Sequence, residues 1–459
     1  MEKLGYSAPA NPLDLSAQDS SAQQAPTVDW AQIAANSKCN RQRFTQEAIY
    51  PKDSILEDFM QYGKERTEGA DAYIIGTVIP IVAAILGRHL YVQFGEKKLY
   101  PNVFNMLAGK AGDKKSYTIQ LAEALAHECL PADALLPMNF SPETLFDEYL
   151  LRPEKIWIVD DANIALSDWR NTSNGERVAS RFLSLYDCKE LTESFRRNKK
   201  ETPDKKPART IPETSTNLLF GATFNAACFQ GQALRAGFDR RFLYYVADGS
   251  DRLIIWPKPG NIGNLSVQFD GLKKIKGELQ LSPNALRLWE NYQKDNRKRA
   301  DDIDPTQEAE LSRHATAPTH ALKIAMVFEA CRMAQEQPPY FQIREQTLHL
   351  AIDHVEEFLR AAGYLDSLAN RSFISNQAEA ILARIRTDSL HNNGNAICLT
   401  RTQLTTKFAP NPGRRGAITP EHLYSHIIPM LIAQGNATRL RKNGKMELYA
   451  FRPEDQGLA

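Results

Sequence analysis

The sequence predicts an α/β protein. Three observations predict it: apolar strand candidates alternate with helical segments between residues 103 and 246, a glycine-and-lysine segment follows the first strand, and an aspartate pair ends another. The strand candidates are Val103–Leu107, Pro137–Phe140, Ile156–Val159, Leu218–Ala222 and Phe242–Val246. Helices fit between them at Ser116–Cys129, at Pro142–Leu151 with Ser141 as its cap, and at Glu176–Tyr186.

Composition narrows the class. Of 459 residues, 42% are hydrophobic and 24% charged, which excludes collagen-like, disulfide-scaffold and wholly disordered chains. Lys and Arg number 56 against 55 Asp and Glu, so whole-chain charge names no partner and a nucleic-acid surface has to come from local asymmetry. Six cysteines lack any CxxC pair, which excludes the common zinc patterns and favours free thiols in a reducing compartment. The apolar stretch Ala72–Leu86 is 15 residues long and contains Gly76 and Pro80, short of the ~20 that span a bilayer. It reads as a buried core helix. With no basic-then-apolar opening segment, a cytoplasmic chain with no membrane partner is expected.

Residues 1–28 read as a disordered tail, and 29–100 as a helical region ending in a hairpin, with Asp53-Ser54 opening an amphipathic helix and Gly95-Glu96 as the hairpin turn. Residues 101–250 form the α/β core. A helical region, 251–370, carries three-to-four-residue apolar spacing in Pro283–Arg299, Ala317–Gln335 and Arg344–Leu365. Residues 371–459 read as helix Ser375–Ser389, helix Thr400–Phe408, helix Pro420–Gln434 and a hairpin around Asn443-Gly444, the order of a winged helix.

The segment Gly109-Lys110-Ala111-Gly112-Asp113-Lys114-Lys115-Ser116-Tyr117 is the most informative. It matches GxxxxGK[ST] at the first glycine, the lysine and the serine, and has Lys114 at the second glycine. An apolar strand precedes it and an Ala/Leu-rich helix follows. Such a turn wraps phosphates in backbone N–H groups, with the lysine on the outer phosphates and the hydroxyl on Mg²⁺. The alternative is a lysine-rich surface turn.

A nucleotide hydrolase also needs a carboxylate at a neighbouring strand end. Ile156–Val159 runs into Asp160-Asp161, 45 residues beyond Lys115. Asp160 is the candidate Mg²⁺ residue and Asp161 the candidate for orienting water, one methylene shorter than a glutamate. The alternative is an N-cap after a buried strand. The strand Leu218–Ala222 ends towards Thr223 and Asn225, candidates for the γ-phosphate or the attacking water. Arg235, Arg240 and Arg241 precede the fifth strand; Arg241 first and Arg240 second are candidates for reaching a neighbouring subunit's nucleotide, the alternative being surface arginines. Arg313 reads more readily as structural than as a residue leaning over nucleotide. His314 and His320 lack partners at metal spacing.

These motifs together, with IWIVDD, LLFGATFN and GFDRRFLYYV before an Ala-rich helical region, resemble a P-loop ATPase family of formally unknown function, found in phage, plasmid and integrated-element primase–helicase proteins. The resemblance covers about 50–365. It implies an AAA+/RecA-like core with helical N-terminal and lid regions, binding ATP and Mg²⁺ and working on DNA during replication of a mobile element, in a hexameric ring. Family members often carry Arg or Lys at the second glycine, as Lys114 does here. Asp161 stands where glutamate is usual, and no primase or zinc pattern precedes the core, so priming would belong to a separate primase or replication protein.

DNA, single-stranded or forked, is the expected partner. Arg196–Arg209 holds seven basic residues, including Arg196, Arg197, Lys199 and Lys200, against two acidic ones. Residues 400–452 hold nine Lys/Arg and two Glu, a charge of +7 that leaves −6 for the remainder. Arg439, Arg441, Lys442 and Lys445 flank the expected wing turn; Glu421, His422, Tyr424 and Ser425 begin the expected groove-reading helix. Besides a helicase-like motor, two readings stay open: a nucleotide-gated DNA-binding initiator, loader or transposition regulator, and an anti-phage defence ATPase.

Overall fold

The computed structural model describes residues 44–193, 209–224, 237–305, 307–336, 341–391, 397–409, 418–434, 436–442 and 446–452. The chain is mixed α/β and divides into two compact units, Arg41–Phe373 and Ile374–Ala459 with Met1–Asn40.

A four-stranded parallel sheet centres the first unit: β1 (Phe104–Gly109), β2 (Glu154–Val159), β3 (Ser215–Thr223) and β4 (Phe242–Val246). Their order across the sheet is β2-β3-β1-β4. β1 and β4 are buried throughout, and β3 up to its last residue, as strands covered on both faces must be. The chain leaves β1 towards β2 on one side and later reaches β4 on the other. This reversal makes the carboxyl end of β1 a topological switch point, where open α/β sheets form crevices.

The expected strand Pro137–Phe140 does not form. Only an isolated bridge, Leu135 to Ile156, lies beside β2. Pro137 has no N–H for a ladder, and Phe140 instead packs its ring 4.7 Å from that of Trp157.

Helix α1 (Ile55–Lys64) is capped by Ser54, whose Oγ accepts from Leu56 N at 3.3 Å. Helix α2 (Asp71–Leu86) is almost wholly buried. The helix and the turn after it, Asp71–His89, are long and apolar enough to cross a membrane, but lie inside the unit's own core. The sheet uses this helix as a cover. Asn105 of β1 donates to Gly76 O at 2.7 Å, and the Tyr73 hydroxyl reaches Ala108 O at 2.9 Å and Ala247 O at 3.0 Å. A hairpin, Leu90–Phe94 with Lys97–Leu99, turns at Gly95 with φ 60°.

Helices α3 (Lys115–Cys129) and α4 (Pro142–Leu151, capped by Ser141) form as expected. Between β2 and β3 there are two helices rather than one: α5 (Asn163–Asn171) and α6 (Ser173–Tyr186), separated at Thr172, whose hydroxyl caps α6. The helical region contains α7 (Ile262–Phe269), α8 (Pro283–Asp301), α9 (Glu308–Glu336) and α10 (Glu345–His391). The two helices expected over Arg344–Leu365 and Ser375–Ser389 are one continuous helix. One hydrophobic core runs from Tyr50 through the sheet to Leu365.

In the second unit, the end of α10 packs Ala378, Ile381, Leu382 and Ile385 against Leu404, Leu423, Ile427 and Leu431. Its sheet is antiparallel, with β5 (Ile397–Thr400), β6 (Ala437–Lys442) and β7 (Met446–Phe451) in the order β5-β7-β6. β5 is absent from the sequence expectation. It is four residues long, and Thr400 also caps helix α11 (Arg401–Phe408) through a reciprocal pair with Gln403.

Candidate functional site

β1 delivers the chain to Gly109 at the carboxyl edge of the sheet. A Cβ there would collide with the Tyr73 hydroxyl, so only glycine lets α2 and β1 approach this closely. The turn that follows is held by Asp113, whose Oδ2 accepts from Lys110 N at 2.6 Å. Gly112 has φ 92°, and Lys114 sits in the left-handed region at φ 58°, ψ 22°. That conformation costs a non-glycine residue roughly 1–2 kcal/mol. It is the position at which the motif normally carries its second glycine.

Lys115 opens α3. Its Nζ donates to Gly109 O at 3.0 Å and Lys110 O at 2.6 Å, so the lysine folds back across the turn. Burial pulls its pKa below the ordinary lysine value, opposed by the carboxylates of Asp113, Asp160 and Asp161. The turn is braced from outside as well. Lys110 pairs with Asp248, and Lys114 Nζ lies 3.3 Å from Glu68 Oε2. Glu68 in turn accepts from Ile254 N at 3.0 Å.

β2 carries Asp160 and Asp161 to the same edge. β3 stands between β2 and β1, and its Gly221 admits the backbone of Asp160: a Cβ on Gly221 would strike the Asp160 carbonyl oxygen. Ala162 N donates to Gly221 O at 2.8 Å and locks the two strand ends together. Asp160 Oδ1 is buried and has no hydrogen-bond partner among the described residues. One oxygen of Asp161 accepts from Asn163 N at 3.1 Å. Asn163 Oδ1 accepts from both the amide and the hydroxyl of Thr223, at 3.3 and 3.4 Å.

These groups line one cleft of about 430 Å³, bounded by the 111–117 turn, by Asp160, Asp161 and Asn163, and by Gly221–Thr223. It sits at the switch point of the sheet, at the amino end of α3, where free backbone N–H groups and the helix dipole favour an anion. Ser116 and Tyr117 stand exposed in the first turn of the helix. Asn163, Glu68, Tyr73 and Asp248 are parts of the site that sequence reasoning missed. Only Asn163, two residues beyond the aspartate pair, carried a local signal.

Other expected residues fall elsewhere. Arg241 meets Asp187. Its guanidinium is held by both oxygens of Asp187, with Nη2 at 3.1 and 2.9 Å, and donates to Gly237 O at 2.6 Å. It is buried and committed to its own chain. Arg240 and Arg241 precede β4 and so lie at the sheet's amino edge, away from the cleft. The Arg240 carbonyl accepts from Thr316 Oγ1 at 3.0 Å and His320 Nε2 at 2.8 Å, while its part-exposed guanidinium makes no ion pair among the described residues. Arg313 is buried in ion pairs with Asp239 and Asp366, a structural role. Arg235, Asn225, Arg196, Arg197, Lys199, Lys200 and Lys445 lie outside the described residues. Arg439 is exposed on β6 opposite Tyr449; Arg441 and Lys442 continue that strand. Tyr424 is half-buried: its hydroxyl donates to Arg401 O at 2.5 Å and meets Thr405 Oγ1 at 3.0 Å. Glu421 and Ser425 remain exposed.

No protein-family model matches the chain, and no curated protein matches it.

Proposed function

We propose that the cleft binds ATP with Mg²⁺ and that the chain is a DNA-dependent P-loop ATPase with a helicase-like motor role. The observation that carries this reading is the convergence of a backbone-wrapped lysine turn with the Asp160–Asp161 strand end in one cleft at the sheet's switch point.

In this reading the amides of residues 111–116 hold the phosphates, and the Lys115 ammonium exchanges two carbonyl partners for β- and γ-phosphate oxygens. Mg²⁺ takes hard oxygen ligands and keeps several waters. Ser116 and Asp160 would hold it, and the buried oxygen of Asp160, without a partner among the described residues, suits that role. The ion would neutralise developing phosphate charge. Asp161 orients water, steered by Asn163, whose amide oxygen also fixes Thr223 at the tip of β3. No arginine among the described residues lines the cleft, so a neighbouring subunit in a ring supplies one. Arg240 is the better candidate, because Arg241 is occupied by Asp187. The order of helices and antiparallel strands in the second unit supports a winged helix, with Arg439, Arg441 and Lys442 on the strand that enters its basic turn.

Turnover of ATP with and without single-stranded DNA tests this. Lys115→Ala is expected to lose hydrolysis and binding of a fluorescent ATP analogue while its circular dichroism stays unchanged. Undiminished turnover would reject the site. The shortness of Asp161 and its bond to Asn163 favour a second reading, a nucleotide-gated DNA-binding loader with slow hydrolysis. Strand displacement on forked DNA separates the two.

A further inference from the structure

A second cavity of about 300 Å³ opens at the other, amino-terminal edge of the sheet, between the 90–99 hairpin, the end of α6 and α9. Four lysines line it: Lys97, Lys98 and Lys189 at its exposed rim and Lys323 at its buried base. The single carboxylate in its wall, Asp187, is already paired with Arg241 and Lys189. Lysines and the aspartate alone thus give the lining a charge of +3, four positive against one negative.

Lys323 is 3% exposed. Its Nζ donates to Asn102 O and Asn102 Oδ1, both at 2.9 Å, and lies 3.9 Å from the centre of the Tyr186 ring. No carboxylate pairs with it among the described residues. A buried ammonium with no paired carboxylate is costly. Burial accordingly lowers its pKa to about 8. Tyr100 and Tyr186 line the wall, and Phe94 stands half-exposed at the rim. The Arg88 guanidinium lies 4.5 Å from the centre of the Tyr100 ring, which leaves Phe94 as the accessible aromatic. Clustered cations beside an exposed aromatic ring suit a ligand that is both anionic and planar.

We propose that this cavity is a second ligand site, taking a phosphate ester attached to a flat ring, that is, one nucleotide unit. The phosphate would sit among Lys97, Lys98 and Lys323, and the ring against the exposed Phe94. The site is independent of the ATP reading, because about 20 Å of β1 separates the two edges of the sheet. The ligand has two possible sources, a free nucleotide or one unit of a nucleic-acid strand, and both present the same chemistry.

The test uses the full chain carrying Lys115→Ala, so that the first cleft does not contribute. Calorimetric titration with AMP and with a short oligothymidylate reads the two sources. Saturable binding of either probe is expected. It should weaken at least tenfold in Lys97→Ala/Lys98→Ala, whose substitutions lie on the exposed hairpin and leave the fold intact. Lys323→Met should abolish the ligand-induced shift in melting temperature. Tighter binding of AMP identifies a free nucleotide as the ligand, and tighter binding of the oligonucleotide identifies a strand. Binding of neither probe, or binding unchanged by the double substitution, overturns the proposal.

Discussion

Lys114 holds a left-handed backbone conformation while its ammonium lies 3.3 Å from Glu68. Position 114 therefore keeps the conformation of a glycine without being one, braced by a carboxylate more than forty residues upstream. Replacing Lys114 by Gly removes the conformational penalty, roughly 1–2 kcal/mol, and an exposed ion pair worth about 0–1 kcal/mol. Lys114→Gly should be stabilised by at most about 2 kcal/mol in urea titration and should keep its ATP turnover within a few-fold. A destabilised or inactive variant would show that the lysine acts on the ligand itself.

Gly221 sets the spacing of the site. Gly221→Ala places a methyl group against the Asp160 carbonyl and forces β2 and β3 apart where the cleft forms. The expected loss is roughly 1–3 kcal/mol of stability, with nucleotide affinity reduced as well. Thermal melts with and without ATP measure both, and an unchanged ligand-induced shift would contradict the assigned geometry.

Arg240 and Arg241 should separate cleanly. Arg241→Ala leaves Asp187 without its main partner and should cost roughly 1–3 kcal/mol in chemical denaturation. Arg240→Ala should leave stability nearly unchanged and lower ATP turnover. Mixing Arg240→Ala with Lys115→Ala subunits should restore some turnover, since each lacks what the other supplies. Absence of rescue would count against a shared site.

Two histidines predict an acid limit. Burial holds His320 and His354 at a pKa of about 4, against an ordinary 6.5. His320 donates to Arg240 O, and His354 donates to Ile49 O while accepting from Tyr245 Oη at 2.9 Å. Between pH 6.5 and 4 the unfolded chain binds protons that the folded chain refuses. Stability is therefore full above pH 6.5 and falls as pH drops towards 4. Unfolding midpoints at pH 7, 6 and 5 should show the fall, with a flatter slope in His354→Gln.

Much of this arrangement was legible because its signals are local. β1, β2, β3 and β4 are short apolar runs with clear ends, and Gly109, Lys115 and the Asp160–Asp161 pair stand at those ends. The cap of α4 by Ser141 is equally local. What was not legible depends on distant partners. Arg241 looks available until Asp187, 54 residues away, is seen to hold it. Tyr424 looks like a groove residue until its hydroxyl is seen to donate to Arg401 O, beside Thr405 Oγ1. Pro137–Phe140 has the apolar character of a strand, but lacks the donor that a ladder needs.

The buried ion pair between Arg313 and Asp239 has a consequence for how the chain matures. The turn that leads into β4 is neutralised by a residue 74 positions later, and Tyr244 Oη donates to the same aspartate. A nascent chain that has emerged only as far as β4 lacks the guanidinium that meets this buried carboxylate. The sheet should therefore stay unfinished until α9 has been synthesised, and a fragment ending near residue 250 should populate an expanded intermediate rather than a native nucleotide-binding module.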